Sequence, residues 1–295
     1  MNSNDRSPWL VTLRGLGLGL GVIAATSMGF ASAQSVRTLR AERYELDAGA
    51  TARVHFATRN DDAGRDERSA WPASLDWAFV RVAGTQTNHD ALVPRDAKDS
   101  SVELVLESPG VAMIATDAAP RVETVRGSDL VEFLAARVGP SARPAGWRDA
   151  GAADSLVVRR LESSKLFVRV LGAEGFLPRS ATAQSKTGQR FELRPLADPT
   201  SVRVRGDLPL RVYLPGDALG AKVLARHVAS GRTQTFLTDR GGTGFFSVTL
   251  SGLWTIEAHH VRRLEPGNGA DWEIATATLT FEVPHLDPRE TEEAR

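Results

Sequence analysis

Six histidines, His55, His89, His227, His259, His260 and His285, are with three methionines the soft-to-borderline metal ligands of this chain, which has no cysteine. Imidazole nitrogens joined by a carboxylate such as Glu257 or Asp271 would make a site suited to nickel, copper or zinc, and His260, His259 and Glu257 are the candidate set. Their spacing limits that chemistry. Side chains alternate along a strand, so Trp254, Ile256, Ala258 and His260 share one face while Thr255, Glu257 and His259 share the other. The two imidazoles point apart, and a metal site needs ligands brought in from elsewhere. His260 shares a face with Trp254 and Ile256 and is expected toward the core, within a cross-strand step of Trp272; His259 is expected toward solvent.

Other chemistries find less support. The chain has no G-x-S-x-G elbow and no H-E-x-x-H helix, so the common hydrolase and zinc-protease signatures are missing and the expectation is a non-enzymatic protein. Trp71, Trp147 and Trp272 could offer stacking surfaces for envelope glycans, or close the ends of β-sandwich cores, where aromatic rings contribute large buried areas. Lys165 opens the apolar run Leu166 to Leu171; its stem can lie on apolar surface while its ammonium faces a carboxylate. If a second helix runs into Leu161, Glu162 and Lys165 form a helical i,i+3 pair.

The elements that position these residues are mostly strands. Leu253 to Val261 and Trp272 to Val283 alternate in polarity and are separated by Pro266-Gly267-Asn268-Gly269, which reads as a hairpin. Earlier short runs, at 53–57, 77–82, 101–106 and 110–116, predict an antiparallel sandwich, with the charged stretch Asn60 to Ser69 as an exposed loop. At 129–138 the period changes: Leu130, Phe133, Leu134 and Val138 fall at helical spacing, Asp129 and Glu132 resemble a capping box, and Gly139-Pro140 stops the helix. Seven further runs from Phe191 onward fit a second sandwich.

The amino terminus has the pattern of a secretory signal. Arg6 and Arg14 flank a polar start, Leu16 to Ala25 is apolar but shorter than the roughly 20 residues of a spanning helix, and Ala31-Ser32-Ala33 suits cleavage before Gln34. Export to the periplasm is therefore expected, with no transmembrane segment in the mature chain. Lysine plus arginine equals aspartate plus glutamate at 36 each, so no overall field draws nucleic acid. Without cysteine the fold is held by its core, without disulfides.

The expected organisation is mainly β: two β-sandwich domains, immunoglobulin-like or transthyretin-like, with a short helical segment between them. The boundaries are 1–33 for the signal, 34–120 for the first sandwich, 121–165 for the helical segment, 166–188 for a strand and linker, 189–283 for the second sandwich and 284–295 for a disordered tail.

The glycine-led strand Gly252-Leu253-Trp254, a histidine near its end, a polar turn and a Trp272 strand closing on Leu279-Thr280-Phe281 resemble the carboxyl-terminal signature of the exported DUF4198 proteins. The likeness is best over Phe191 to Val283 and looser back to Val102. Lys165 and Leu166 to Val170 also match a family motif, but Glu162 stands where the family has an arginine, and Gln34-Ser35-Val36 lacks the histidine that often follows cleavage. The resemblance implies an exported all-β protein, with nickel uptake as the role sometimes attached to the family and a transporter or envelope component as partner.

Overall fold

The computed structural model describes residues 36–60, 65–82, 85–87, 92, 100–179, 181–214, 217–218 and 220–285. The signal-like segment, His89 and residues 286–295 lie outside this set. β-Branched and aromatic residues in period-two runs give eighteen strands among the described residues, and one stretch of period 3.6 gives an α-helix. In chain order they are β1 (Arg37–Ala41), β2 (Glu45–Asp47), β3 (Thr51–Asn60), β4 (Arg65–Ser69), β5 (Leu75–Val82), β6 (Thr85–Thr87), β7 (Ser101–Val105), β8 (Gly110–Ala118), β9 (Arg121–Val125), α1 (Gly127–Arg137) and β10 (Leu156–Leu171). There follow β11 (Glu192–Pro195), β12 (Asp207–Leu214), β13 (Asp217–Ala218), β14 (Lys222–His227), β15 (Thr233–Leu237), β16 (Thr243–Ser247), β17 (Gly252–Arg263) and β18 (Trp272–Val283).

The fold is mainly β and consists of packed sheets. Ten strands form one sheet, with β15, β14, β17, β18, β10, β8, β5 and β6 as successive neighbours and β2 and β9 also pairing with β10. A four-stranded sheet of β1, β3, β4 and β7 covers one part of it, enclosing Leu39, Val54 and Phe56 against Ile114, Leu166 and Val168. A second four-stranded sheet, β11, β12, β13 and β16, covers another part, enclosing Leu193, Val212 and Phe246 against Trp254, Ile256 and Leu279. Two sandwiches are present, as the strand rhythm predicts, but they share one sheet instead of standing on either side of a linker.

β10 makes that continuity. The expected second helix into Leu161 is absent; Leu156 to Leu171 is a single strand, about 50 Å long at roughly 3.3 Å per residue. Its first residues pair antiparallel with β9 and its last with β8, while the other edge runs parallel to β18 from Val158 to Leu166 and then to β2. The β-branched Val157 and Val158 favour this state, and strands on both sides complete it. Glu162 consequently makes no helical contact with Lys165. Arg37 Nε donates to it at 2.7 Å and Arg121 Nη2 at 3.4 Å.

The charged stretch 60–69 also departs from expectation, since Arg65 to Ser69 pair in register with Phe56 to Asn60 as β4. The helix α1 does form, burying Leu130, Phe133 and Leu134. Its start lies two residues earlier than expected, so Asp129 sits inside the first turn and accepts from Arg126 Nε at 3.1 Å instead of capping with Glu132.

Gly127 fixes the seat of α1. Its N–H donates to Ala153 O at 3.1 Å, and a Cβ there would lie 1.9 Å from Ala150 O and 2.6 Å from Ala153 O, both backbone atoms that cannot swing aside. Gly127→Ala is therefore expected to destabilise by about 1–3 kcal/mol in urea denaturation, the usual cost of overpacking. An unchanged midpoint would show that α1 can lift from this loop without penalty.

Candidate functional site

The Trp254 face of β17 meets the second sandwich, as parity predicts. Trp254 is fully buried, its Nε1 donates to Leu250 O at 2.9 Å, and its ring packs edge-on to Phe246 at 4.8 Å. The other face is buried too, which the sequence did not signal. α1 covers it, and His259 is only 2 % exposed, with Phe133 edge-on at 5.1 Å. Its Nδ1 pairs with Thr276 Oγ1 at 3.0 Å, and its Nε2 is 3.6 Å from Glu257 Oε1; Glu257 is in turn ion-paired to Arg137 from α1.

The expected contrast between the two histidines is thus reversed. His260 keeps the predicted face, 6.4 Å from the Phe191 ring, but is only partly buried. Burial pushes its pKa below the ordinary histidine value, and the Arg262 cation acts in the same direction. The candidate metal set fails on the same geometry: His260 lies across the sheet from His259 and Glu257, and Glu257 is already engaged by Arg137. Among the described residues no group of three or more histidines and carboxylates is placed to hold a metal ion.

Lys165 does face a carboxylate. It is 1 % exposed, and its Nζ donates to Glu192 Oε1 at 2.8 Å and to Leu193 O at 3.2 Å, tying β10 to β11. The backbone N–H groups of Thr187 and Gly188 also donate to Glu192, at 3.0 and 3.4 Å. Burial opposes charge on Glu192, but Lys165 and these donors outweigh it and hold the carboxyl below its usual range. Gln189 secures the same loop: its Nε2 donates to Thr116 O and Ser164 O, both at 3.0 Å. Beside it Asp117 accepts from Ser163 Oγ at 2.6 Å and from Arg190 N at 3.0 Å, while burial pushes its pKa up.

The three tryptophans are packed to different degrees. Trp272 is 3 % exposed and belongs to the core under α1, with Val158, Val261 and Ile274. Trp71 lies edge-on to Phe56 at 4.9 Å, and Trp147 carries the guanidinium groups of Arg143 and Arg148 at 5.0 and 5.2 Å from its ring.

Open space lies at the hairpin end. Gly267 and Gly269 take the positive φ values, 93° and 74°, that the reversal needs, and beside this loop a cleft of about 800 Å³ opens toward the start of β10. Leu156, Leu264, Pro266 and Trp272 give it apolar wall; Arg263, Glu265 and Asp271 give it charge of both signs. Asp271 is clamped to β10, accepting from Val157 N and donating its own N–H to Val157 O, both at 2.8 Å.

Lys165→Met is expected to cost about 3–5 kcal/mol, because it leaves a buried carboxylate without its cation. Lys165→Met/Glu192→Gln should recover much of that loss, since glutamine keeps an acceptor for the Thr187 and Gly188 N–H groups without the charge. Urea midpoints of both would check this, and a double variant as unstable as the sum of the singles contradicts it. In a parallel comparison His259→Ala should cost about 1–3 kcal/mol through stranded partners. His260→Ala should stay within about 1 kcal/mol; the opposite order would mean that α1 does not seal its face of β17.

No family model matches the chain, and no curated protein matches it. Among solved structures the chain is similar to murine CEACAM1b, at 10% identity and a TM-score of 0.20, over 85% of this chain and 100% of that one.

Proposed function

We propose that this chain is an exported, non-enzymatic protein that serves as a ligand-binding or accessory component of the periplasm and cell envelope. The observation that carries the reading is the hairpin cleft, which has apolar walls, charges of both signs and a floor fixed by the Asp271 clamp. Such a surface suits an extended polar ligand such as an envelope glycan, held without being transformed. The buried charges described above support it, because Lys165, Arg137 and Asp117 each join one element to another inside the fold. Among the described residues no helix is long and apolar enough to cross a membrane. The signal pattern of residues 1–33 supplies the route of export.

The test uses the chain from Gln34 onward. Retention on a purified envelope fraction should fall in Arg263→Glu and Glu265→Arg, both exposed at the cleft, while their melting temperatures stay within a few degrees of the parent. Unchanged retention in both variants would sink the cleft reading. A saturable gain in melting temperature with nickel, copper or zinc ions would instead favour a transition-metal carrier, because a ligand that binds only the folded state stabilises it. Cell fractionation that finds the protein in the cytosol with Met1 intact would remove the export reading.

A further inference from the structure

The face of β11 and β12 away from the core carries an arrangement that the contacts described so far do not explain. Cross-strand register sets Arg194 opposite Arg211 and Glu192 opposite Tyr213, while Leu193 and Val212 enter the core between them. Residues directly opposite in an antiparallel pair have Cβ atoms only about 5 Å apart, and like charges so placed repel unless an anion lies between them. Among the described residues neither guanidinium is paired with a carboxylate. Each is instead held through Nε to a backbone carbonyl, Arg194 to Gln184 O at 2.7 Å and Arg211 to Gly241 O at 3.0 Å.

Tyr213 supplies a second, independent sign. It is 7 % exposed, and its hydroxyl has no hydrogen bond of good geometry among the described residues; the Arg194 guanidinium is near enough for a poorly aligned one, which opposes the effect of burial on the phenol. Burial raises the pKa of this phenol, so it remains a donor at neutral pH. A buried hydroxyl left with only a poorly aligned partner is costly, and buried polar groups are rarely so weakly satisfied. Lys186 Nζ adds a third cation, 4.9 Å above the Tyr213 ring. Two carboxylates are near: Glu192 is engaged by Lys165 and the loop N–H groups, while Asp239 accepts from the N–H of Thr243 at 2.8 Å and keeps its charge on the Gly241 side of Arg211, away from Arg194.

We infer that Arg194, Arg211, Tyr213 and Lys186 form a binding site for an oxyanion, the phosphate or carboxylate group of a small ligand. Anchoring each guanidinium through Nε presets its fork, the geometry in which arginine binds such groups through two parallel hydrogen bonds. The phenol donates to the same group, and the lysine supplies charge from the rim. The site shares no residue with the hairpin cleft and stands whether or not that cleft binds anything.

Calorimetric titration of the chain from Gln34 with inorganic phosphate and, separately, with succinate tests the site, with sodium chloride at matched ionic strength as the control. A saturable heat is expected with at least one of the two anions, phosphate marking a phosphoryl ligand and succinate a carboxylate. Affinity should fall about tenfold or more in Arg194→Gln and in Arg211→Gln, and several-fold in Tyr213→Phe. Lys186→Gln, a rim substitution outside the sheet, should weaken binding with its melting temperature unchanged and so guards against misfolding of the arginine variants. Heats no greater than those with chloride for both anions, or binding unaltered by Lys186→Gln and by Tyr213→Phe, would overturn the proposal.

Discussion

A buried strand must pair both of its edges, and the structure depends on how β10 meets that requirement. Its backbone groups lie between the two sandwiches, away from water, where an unmade hydrogen bond carries the full desolvation cost. Four other strands share the task, β9 and β8 along one edge and β18 and β2 along the other. Because these partners come from opposite ends of the chain, the sandwiches cannot be separated by cutting a loop. The two cores are the two ends of one sheet.

Charge inside this joint needs the same accounting. Lys165 with Glu192, Arg160 with Glu123 and Arg137 with Glu257 each bring a cation and a carboxylate out of water together. Such pairs contribute less to stability than they would lose if halved. Their more evident effect is on register: sliding β10 by one residue against β18 would carry Lys165 to the opposite side of the sheet from Glu192. The contacts of α1 with this face act in the same sense, since Arg137 meets Glu257 and Phe133 meets His259 only with the helix seated in one way.

The sequence showed what is local. The hairpin was legible because turn chemistry at Pro266 to Gly269 and period-two alternation on either side need no knowledge of the rest of the chain. α1 was legible for the same reason, at period 3.6. Lys165 was legible in part: a lone cation at the head of an apolar run must find a carboxylate, but nothing in Phe191-Glu192-Leu193 marked Glu192 as that partner, because its burial comes from the loop around Thr187. The strand character of Leu156 to Leu161 was hidden because its parallel partner lies 114 residues away. His259 was misplaced because parity assigns a face without saying what lies upon it, and the helix that covers this one comes from a distant part of the chain.

The parallel union of β10 with β18 also orders events in time. A ribosome delivers the chain from its amino terminus, so β10 exists as a nascent strand well before β18 does, and one of its edges stays unsatisfied until nearly the whole chain has emerged. Pairings of such long sequence separation close slowly, because the loop entropy must be spent before the contacts return it. The first sandwich, whose buried core lies between Leu39 and Val170, can gather during that interval while the β18 edge of β10 stays open. The joint between the two cores is thereby the last part of the fold that can close.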